Sequence, residues 1–243
     1  MTSDVDTHNS ILPTKTPLFS SIENNEKNHA VIILASGLSE RLGQPKQLLS
    51  KHGEPLIFYM TKIALATNPI AVIVVIPQDQ PAIADAISGL VRQNTIIYSV
   101  VNLIPKTGMA HSLSLGIDAL INLEISLINR VLIMGVDQVL LDNEHLTELL
   151  VAKSTVVASS YQCLDKASST DTSKSNIVGL PIVINVECLK QWQPALIGDK
   201  GLRHLIRALP PNHLSTIINH QLSYDIDTPK QLFYARQQHW LDA

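Results

Sequence analysis

A chain of 243 residues, 45% hydrophobic and 16% charged, is long enough to bury one good core and has neither a disordered nor a fibrous composition. Its formal net charge of -3 leaves no broad basic face, so nucleic acid is not an expected partner. Two cysteines, Cys163 and Cys188, and nine scattered histidines offer no zinc spacing and no disulfide framework. The polar opening MTSDVDTHNS is unlike a signal peptide, and apolar runs such as AVIVVI (71–76) are too short to span a bilayer. The expectation is a cytoplasmic protein without a membrane partner.

Residues 1–28, rich in Ser, Thr, Asn, Asp and Pro, read as a mobile tail before a single domain over 29–243. AVIILA (30–35) reads as a buried strand and PLIFYMTKIALAT (55–67) as a helix. Strand AVIVVI, helix PAIADAISGLV (81–91) opening on Pro, and strand TIIYSVV (95–101) follow. Then come helix HSLSLGIDALINL (111–123), strand RVLIMG (130–135), helix NEHLTELLVAK (143–153) and strand TVVASSY (155–161). This alternation, with near-continuous apolar strands, predicts an α/β fold: a mainly parallel sheet with helices on both faces. The polar stretch 164–176 reads as an exposed loop, flanked by a hairpin. Strand LPIVI (180–184), helices near 187–192 and 201–209, strand LSTIIN (214–219), the extended SYDIDTP and a helix from Pro229 complete the chain.

Chemistry is expected beyond the carboxyl ends of the strands, where open parallel sheets bind ligands. The stretch LASGLSERLGQPKQLL (34–49) lies there, yet it is neither a dinucleotide fingerprint nor a P-loop. Leu34, Ala35, Ser36 and Gly37 let backbone N–H groups approach an anion. Arg41 and Lys46, with Lys51 nearby, concentrate positive charge for a phosphate. The competing reading is an ordinary glycine-containing connection with solvated cations.

Asp137, in MGVDQVLL, also falls just past a buried strand, where a carboxylate suits magnesium. A turn or cap aspartate is the alternative. In SYDIDTP, Asp225 and Asp227 alternate, and either Asp227 or Thr228 can cap the last helix. Ser112 sits in the first turn of a helix after Gly108 and Met109, facing either an anion or nothing. In GDKGLRHLI (198–206), Asp199 reads as a cap, while Lys200 and Arg203 either hold a second phosphate or are solvated. No local context activates a cysteine or builds a Ser-His-Asp arrangement.

Taken together, these segments resemble the MobA-like nucleotidyltransferases, and within them the molybdenum-cofactor cytidylyltransferase branch. The carriers are LASGLSERLGQPKQLL, GMAHSL, Asp137-Gln138, GDKGLR and DIDTP, in order over about Ala30 to Leu232. The resemblance implies a Rossmann-like three-layer α/β/α sandwich of the GT-A-like nucleotidyltransferase type. It also implies Mg2+-dependent transfer of CMP from CTP to the terminal phosphate of molybdopterin. Arg41 and Lys46 would clamp the triphosphate, and Asp137 and Asp227 would hold Mg2+. Residues 35–37 with Ser112 would line the base and ribose pocket. Gly179, Pro181, Lys200 and Arg203 would meet the acceptor, and a molybdoenzyme or its maturation chaperone would receive the product.

Three positions depart from that pattern. Val139 stands for the proline after DQ, Ser114 for an arginine, and Leu180 for the histidine of GHP, which bears on the acceptor. Guanylyl-transferring relatives carry LAGG, so Ser36 is expected to narrow the base pocket in favour of a pyrimidine. The alternatives are a relative that uses GTP or another phosphate acceptor, such as a sugar phosphate, and a non-catalytic carrier of the pterin.

Overall fold

The computed structural model describes residues 28–162, 176–198 and 201–243. Most of the tail, most of the polar stretch 164–176, and Asp199 and Lys200 therefore lie outside the described residues. In chain order the strands are β1 (His29–Leu34), β2 (Ser50–Lys51), β3 (Glu54–Pro55), β4 (Ala71–Pro77), β5 (Ile97–Asn102), β6 (Arg130–Gly135), β7 (Val156–Gln162), β8 (Asn176–Asn185) and β9 (Leu214–Ile218). The helices are α1 (Leu56–Ala66), α2 (Pro81–Gln93), α3 (Met109–Asn122), α4 (Asn143–Val151), α5 (Val186–Trp192), α6 (Arg203–Arg207) and α7 (Pro229–Gln237).

Seven strands form one sheet in the order β5-β4-β1-β6-β8-β7-β9. Every neighbouring pair is parallel except β6–β8 and β7–β8, so β8 alone runs against the rest. The mainly parallel α/β expectation holds. The antiparallel β7–β8 pair also gives the hairpin expected around the polar stretch.

Side chains alternate along each strand between two buried clusters. Val31, Ile33, Val72, Val74, Leu132 and Met134 face α1, α2, α4 and α7. Ala30, Ile32, Ile73, Val75, Val131 and Ile133 face α3, α5 and α6. A three-layer sandwich results, and its central strands are apolar throughout because both faces are covered. The helix starts are encoded locally: Pro81 opens α2, and Asp142, Asn185 and Thr228 cap α4, α5 and α7.

Three features differ from the sequence expectations. The hairpin β2–β3 is too short to show periodicity; its two-residue turn, His52-Gly53, has positive φ at both positions, as a tight antiparallel turn requires. SYDIDTP, read as extended, makes a single bridge, between Asp225 and Gln138, and its Ser223 belongs to a short 3-10 turn, His220–Ser223. Finally, α6 spans only Arg203–Arg207.

Candidate active site

Beyond their carboxyl ends, β1 and β6 diverge into the two loops that carry the charged motifs. The chain leaves β1 toward β4 and β5 on one side and returns to place β6 on the other. This is the strand-order reversal at which doubly wound sheets open a crevice. A cleft of about 670 Å³ lies there, and its lining includes Ser36, Arg41, Lys46, Ser112, Asp137 and Leu180. Leu34 and Gly37 also line it.

Lys46 is the centre of the charged cluster. Its Nζ donates to Asp137 Oδ2 at 2.9 Å and to Asp227 Oδ1 at 2.6 Å. Arg41 donates to the other Asp227 oxygen at 2.6 Å. The Lys46 side chain is only 12% exposed, whereas that of Arg41 is 73% exposed. Burial disfavours the charge on Lys46, but the two carboxylates outweigh it and hold the ammonium above its ordinary range. Burial likewise disfavours the Asp227 carboxylate, and Lys46 with Arg41 holds its carboxyl below the usual range.

Asp137 is not a cap, since the α4 cap is Asp142. Of the two residues offered as the α7 cap, Thr228 takes that role, its Oγ1 accepting from the Gln231 N–H, which leaves Asp227 for the cluster. Asp225 is tied instead to Gln231 Nε2 at 3.3 Å. Lys51, read as a third cation of the loop, does not join the cluster. It is buried and donates to the carbonyls of Val139 and Trp240.

Among the described residues no three acidic, histidine or cysteine side chains converge as a metal site. Asp137 and Asp227 nevertheless converge on one cation, the Lys46 ammonium. A pair of carboxylates completed by substrate phosphate oxygens and water is the donor set Mg2+ prefers, so these residues fit that ion.

The loop after β1 is held open by Gln47. Buried at 1% exposure, its Nε2 donates to Ala35 O at 2.7 Å and Gly37 O at 2.8 Å. Ala35 therefore contributes backbone while its side chain is buried, and its N–H bonds the Val75 carbonyl. Opposite, α3 begins at Met109 after Gly108 (φ 92°), which puts Ser112 in the first turn. Gly116 lets α3 lie close on β1: an added Cβ would stand 2.8 Å from Ile32 Cγ2.

A second cavity, about 430 Å³, adjoins the first. Arg41 lines both, and Asp227 lines the second with Arg203, Lys230, Tyr224 and Trp240. Among the residues read as meeting the acceptor, Arg203 lines the second cavity together with Arg41 and Asp227. Gly179 and Pro181 line neither cavity, and Leu180 between them lines the first. Pro181 is buried, with its carbonyl accepting from Ser159 Oγ at 2.7 Å. Lys200 lies outside the described residues.

Residues 31–214 match the MobA-like NTP transferase domain. The chain belongs to that family. The fold recurs in solved structures of low identity. Rv0371c from Mycobacterium tuberculosis H37Rv is 18% identical with a TM-score of 0.65, over 86% of this chain and 98% of that one. A nucleotidyl transferase from Methanothermobacter thermautotroptrophicus is 19% identical with a TM-score of 0.66, over 87% and 97%. The 4-diphosphocytidyl-2C-methyl-D-erythritol synthase from Anaerococcus prevotii DSM 20548 is 14% identical with a TM-score of 0.66, over 88% and 98%. No curated protein matches the chain. Among the described residues no helix is long and apolar enough to cross a membrane.

For this MobA-like transferase the matched span ends before Asp227, the residue that closes the charged cluster. Sequence reasoning passed over two buried amides, Gln47 in the cleft wall and Asn102 behind it. Their signal was available, since each is a polar residue beside an apolar run, where burial demands a hydrogen-bonding reason.

Proposed function

We propose that the protein transfers CMP from CTP to the terminal phosphate of molybdopterin, giving the cytosine dinucleotide cofactor and pyrophosphate. The observation that carries the transferase chemistry is the cluster Arg41–Lys46–Asp137–Asp227 on the boundary between two cavities. One cavity takes the nucleotide and the other the acceptor, so the reacting phosphates meet at the cluster. The identities of CTP and molybdopterin rest on the ordered motifs of the sequence.

An acceptor phosphate oxygen attacks the α-phosphorus. The new P–O bond forms as the bond to the bridging α–β oxygen breaks, and pyrophosphate leaves. Such transfer needs positioning and charge neutralisation more than a covalent nucleophile. Lys46, buried and held charged, neutralises phosphate from the cleft floor. Arg41, exposed and tethered by one carboxylate, is free to fork onto the leaving pyrophosphate. Asp137 and Asp227 would hold Mg2+, which supplies charge neutralisation across the phosphate oxygens when bound. Arg203 and Lys230 orient the acceptor phosphate from the second cavity.

Leu180, standing where the family pattern has histidine, favours a second reading with a different phosphate acceptor on the same machinery. A non-catalytic carrier has no use for a cation-bridged carboxylate pair.

The test is pyrophosphate release with Mg2+ and purified molybdenum cofactor, comparing CTP, GTP, ATP and UTP. Release is expected with CTP and is abolished by Asp137→Ala; release with GTP alone would refute the pyrimidine preference. Release only with another phosphate acceptor would move the assignment to the second reading.

A further inference from the structure

Arg41, Lys46, Asp137 and Asp227 carry two positive and two negative charges, so the cluster is formally neutral. Both oxygens of Asp227 are engaged, Oδ1 by the Lys46 ammonium and Oδ2 by the Arg41 guanidinium, each at 2.6 Å. Asp137 Oδ2 accepts from Lys46 at 2.9 Å. Of the four carboxylate oxygens, Asp137 Oδ1 alone accepts no hydrogen bond among the described residues.

Mg2+ binds through oxygen lone pairs and gives up its water reluctantly. On this pair, any bond to Asp227 would be made at an oxygen that a cation already holds, with that cation's charge close by. A divalent ion arriving alone therefore meets a neutral cluster and like charge at short range. A nucleoside triphosphate alters that balance. Its phosphate oxygens compete with the carboxylates for Lys46 and Arg41, which both line the first cavity. As the two cations turn to the phosphates, the carboxylates are left with uncompensated negative charge. That charge suits a divalent ion held jointly by carboxylates and phosphates.

We infer that Lys46 is a substitute cation: it neutralises the Asp137–Asp227 pair until a triphosphate draws it off, so the site takes Mg2+ only together with the nucleotide. The ligand of the cleft is then the metal–nucleoside triphosphate complex, and the free ion is turned away. The inference rests on the nucleotidyltransferase reading above, with Asp137 and Asp227 as the metal-holding residues.

The test is calorimetric titration of the nucleotide-free full chain with Mg2+ alone at low salt. The wild-type protein should bind the ion weakly. Lys46→Met should bind it about tenfold more tightly, because the remaining cluster carries a net negative charge. Arg41→Gln takes an exposed guanidinium from Asp227 Oδ2, so its gain is smaller, about threefold. Adding Asp137→Asn to Lys46→Met should cancel the gain, which ties the ion to this pair.

Equal Mg2+ affinity in the wild type and Lys46→Met, lost from both on Asp137→Asn, overturns this inference alone. A gain that survives Asp137→Asn puts the ion elsewhere and overturns it as well. Absence of Mg2+ binding in Lys46→Met removes Asp137 and Asp227 as metal-holding residues, and the metal reading falls with this one. Should Lys46→Met not fold, Arg41→Gln decides: an affinity equal to that of the wild type overturns the proposal.

Discussion

The two cavities that meet at Arg41 are built on different plans. The first opens at the ends of parallel strands, where small residues, Ser36, Gly37, Gly108 and Ser112, stand beside the charged Arg41, Lys46 and Asp137, and no aromatic ring lines it. The second lies beside β7, β8 and α7 and is walled partly by rings. Tyr224, Tyr234 and Trp240 pack on one another with centroids 4.8–6.3 Å apart, beside Arg203 and Lys230. Small residues that admit a close approach, beside cations held in place by carboxylates, suit a group of fixed shape and high negative charge. A wall of rings and long cations, carried on separate elements, is adjustable by substitution and suits the partner that varies between related enzymes.

The largest effect is expected where the two plans join. Lys46→Met removes the cation between two carboxylates, so kcat should fall roughly 10²- to 10³-fold with every productive nucleotide. Calorimetry should show a smaller change in nucleotide affinity. A loss confined to nucleotide affinity would limit Lys46 to binding and break the description of the cluster as the boundary where the reacting phosphates meet. Arg203→Ala is the next smaller effect. It removes one charge-assisted contact from the second cavity, so the KM for the acceptor should rise about tenfold while nucleotide affinity stays unchanged. A changed nucleotide affinity would erase the division between the cavities.

The same division explains what could be read in the sequence. The first cavity is made of local segments: a strand and the loop that follows it, twice over, with α3 facing them. Arg41, Lys46, Asp137 and Ser112 were therefore visible as motifs, because each sits a fixed few residues beyond an apolar strand or inside a helix start. The second cavity is assembled from distant elements. Arg203 was legible only through its motif, while nothing local to β8 tells that Leu180 would reach the first cavity while its neighbours Gly179 and Pro181 reach neither. The strand order was likewise only partly legible. Apolar runs announce buried strands and the polar stretch announces the β7–β8 hairpin, but no local signal says that β8 inserts between β6 and β7. Asn102 and Gln47 escaped notice because a buried amide is recognised by its partners, Ser112 and Ile104 for one and Ala35 and Gly37 for the other.

The smallest expected effect separates the two sides by pH. Behind Leu180, the buried His145 meets Ser159 Oγ at 2.8 Å, and that hydroxyl donates to Pro181 O at 2.7 Å. With its proton committed to Pro181, Ser159 accepts from His145, so Nε2 of the imidazole carries a proton. Burial holds the His145 pKa below its ordinary 6.5, against the opposing pull of Asp142 and Glu148. The unfolded chain therefore takes up a proton near pH 6.5 that the folded chain still refuses. Stability from this group is complete above pH 6.5 and declines as pH falls toward the folded pKa. Tm measured from pH 7 to pH 5 should drop more steeply for the wild type than for His145→Gln, which keeps a donor for Ser159 but cannot titrate. Parallel curves would mean that His145 is not the group that loosens the β7–β8 side in acid. The network on the other side, in which Asn102 Nδ2 donates to Ser112 Oγ at 3.1 Å and stands 3.4 Å from Ser36 Oγ, has no titratable member. Replacing Asn102 should therefore shift Tm by the same amount at both pH values.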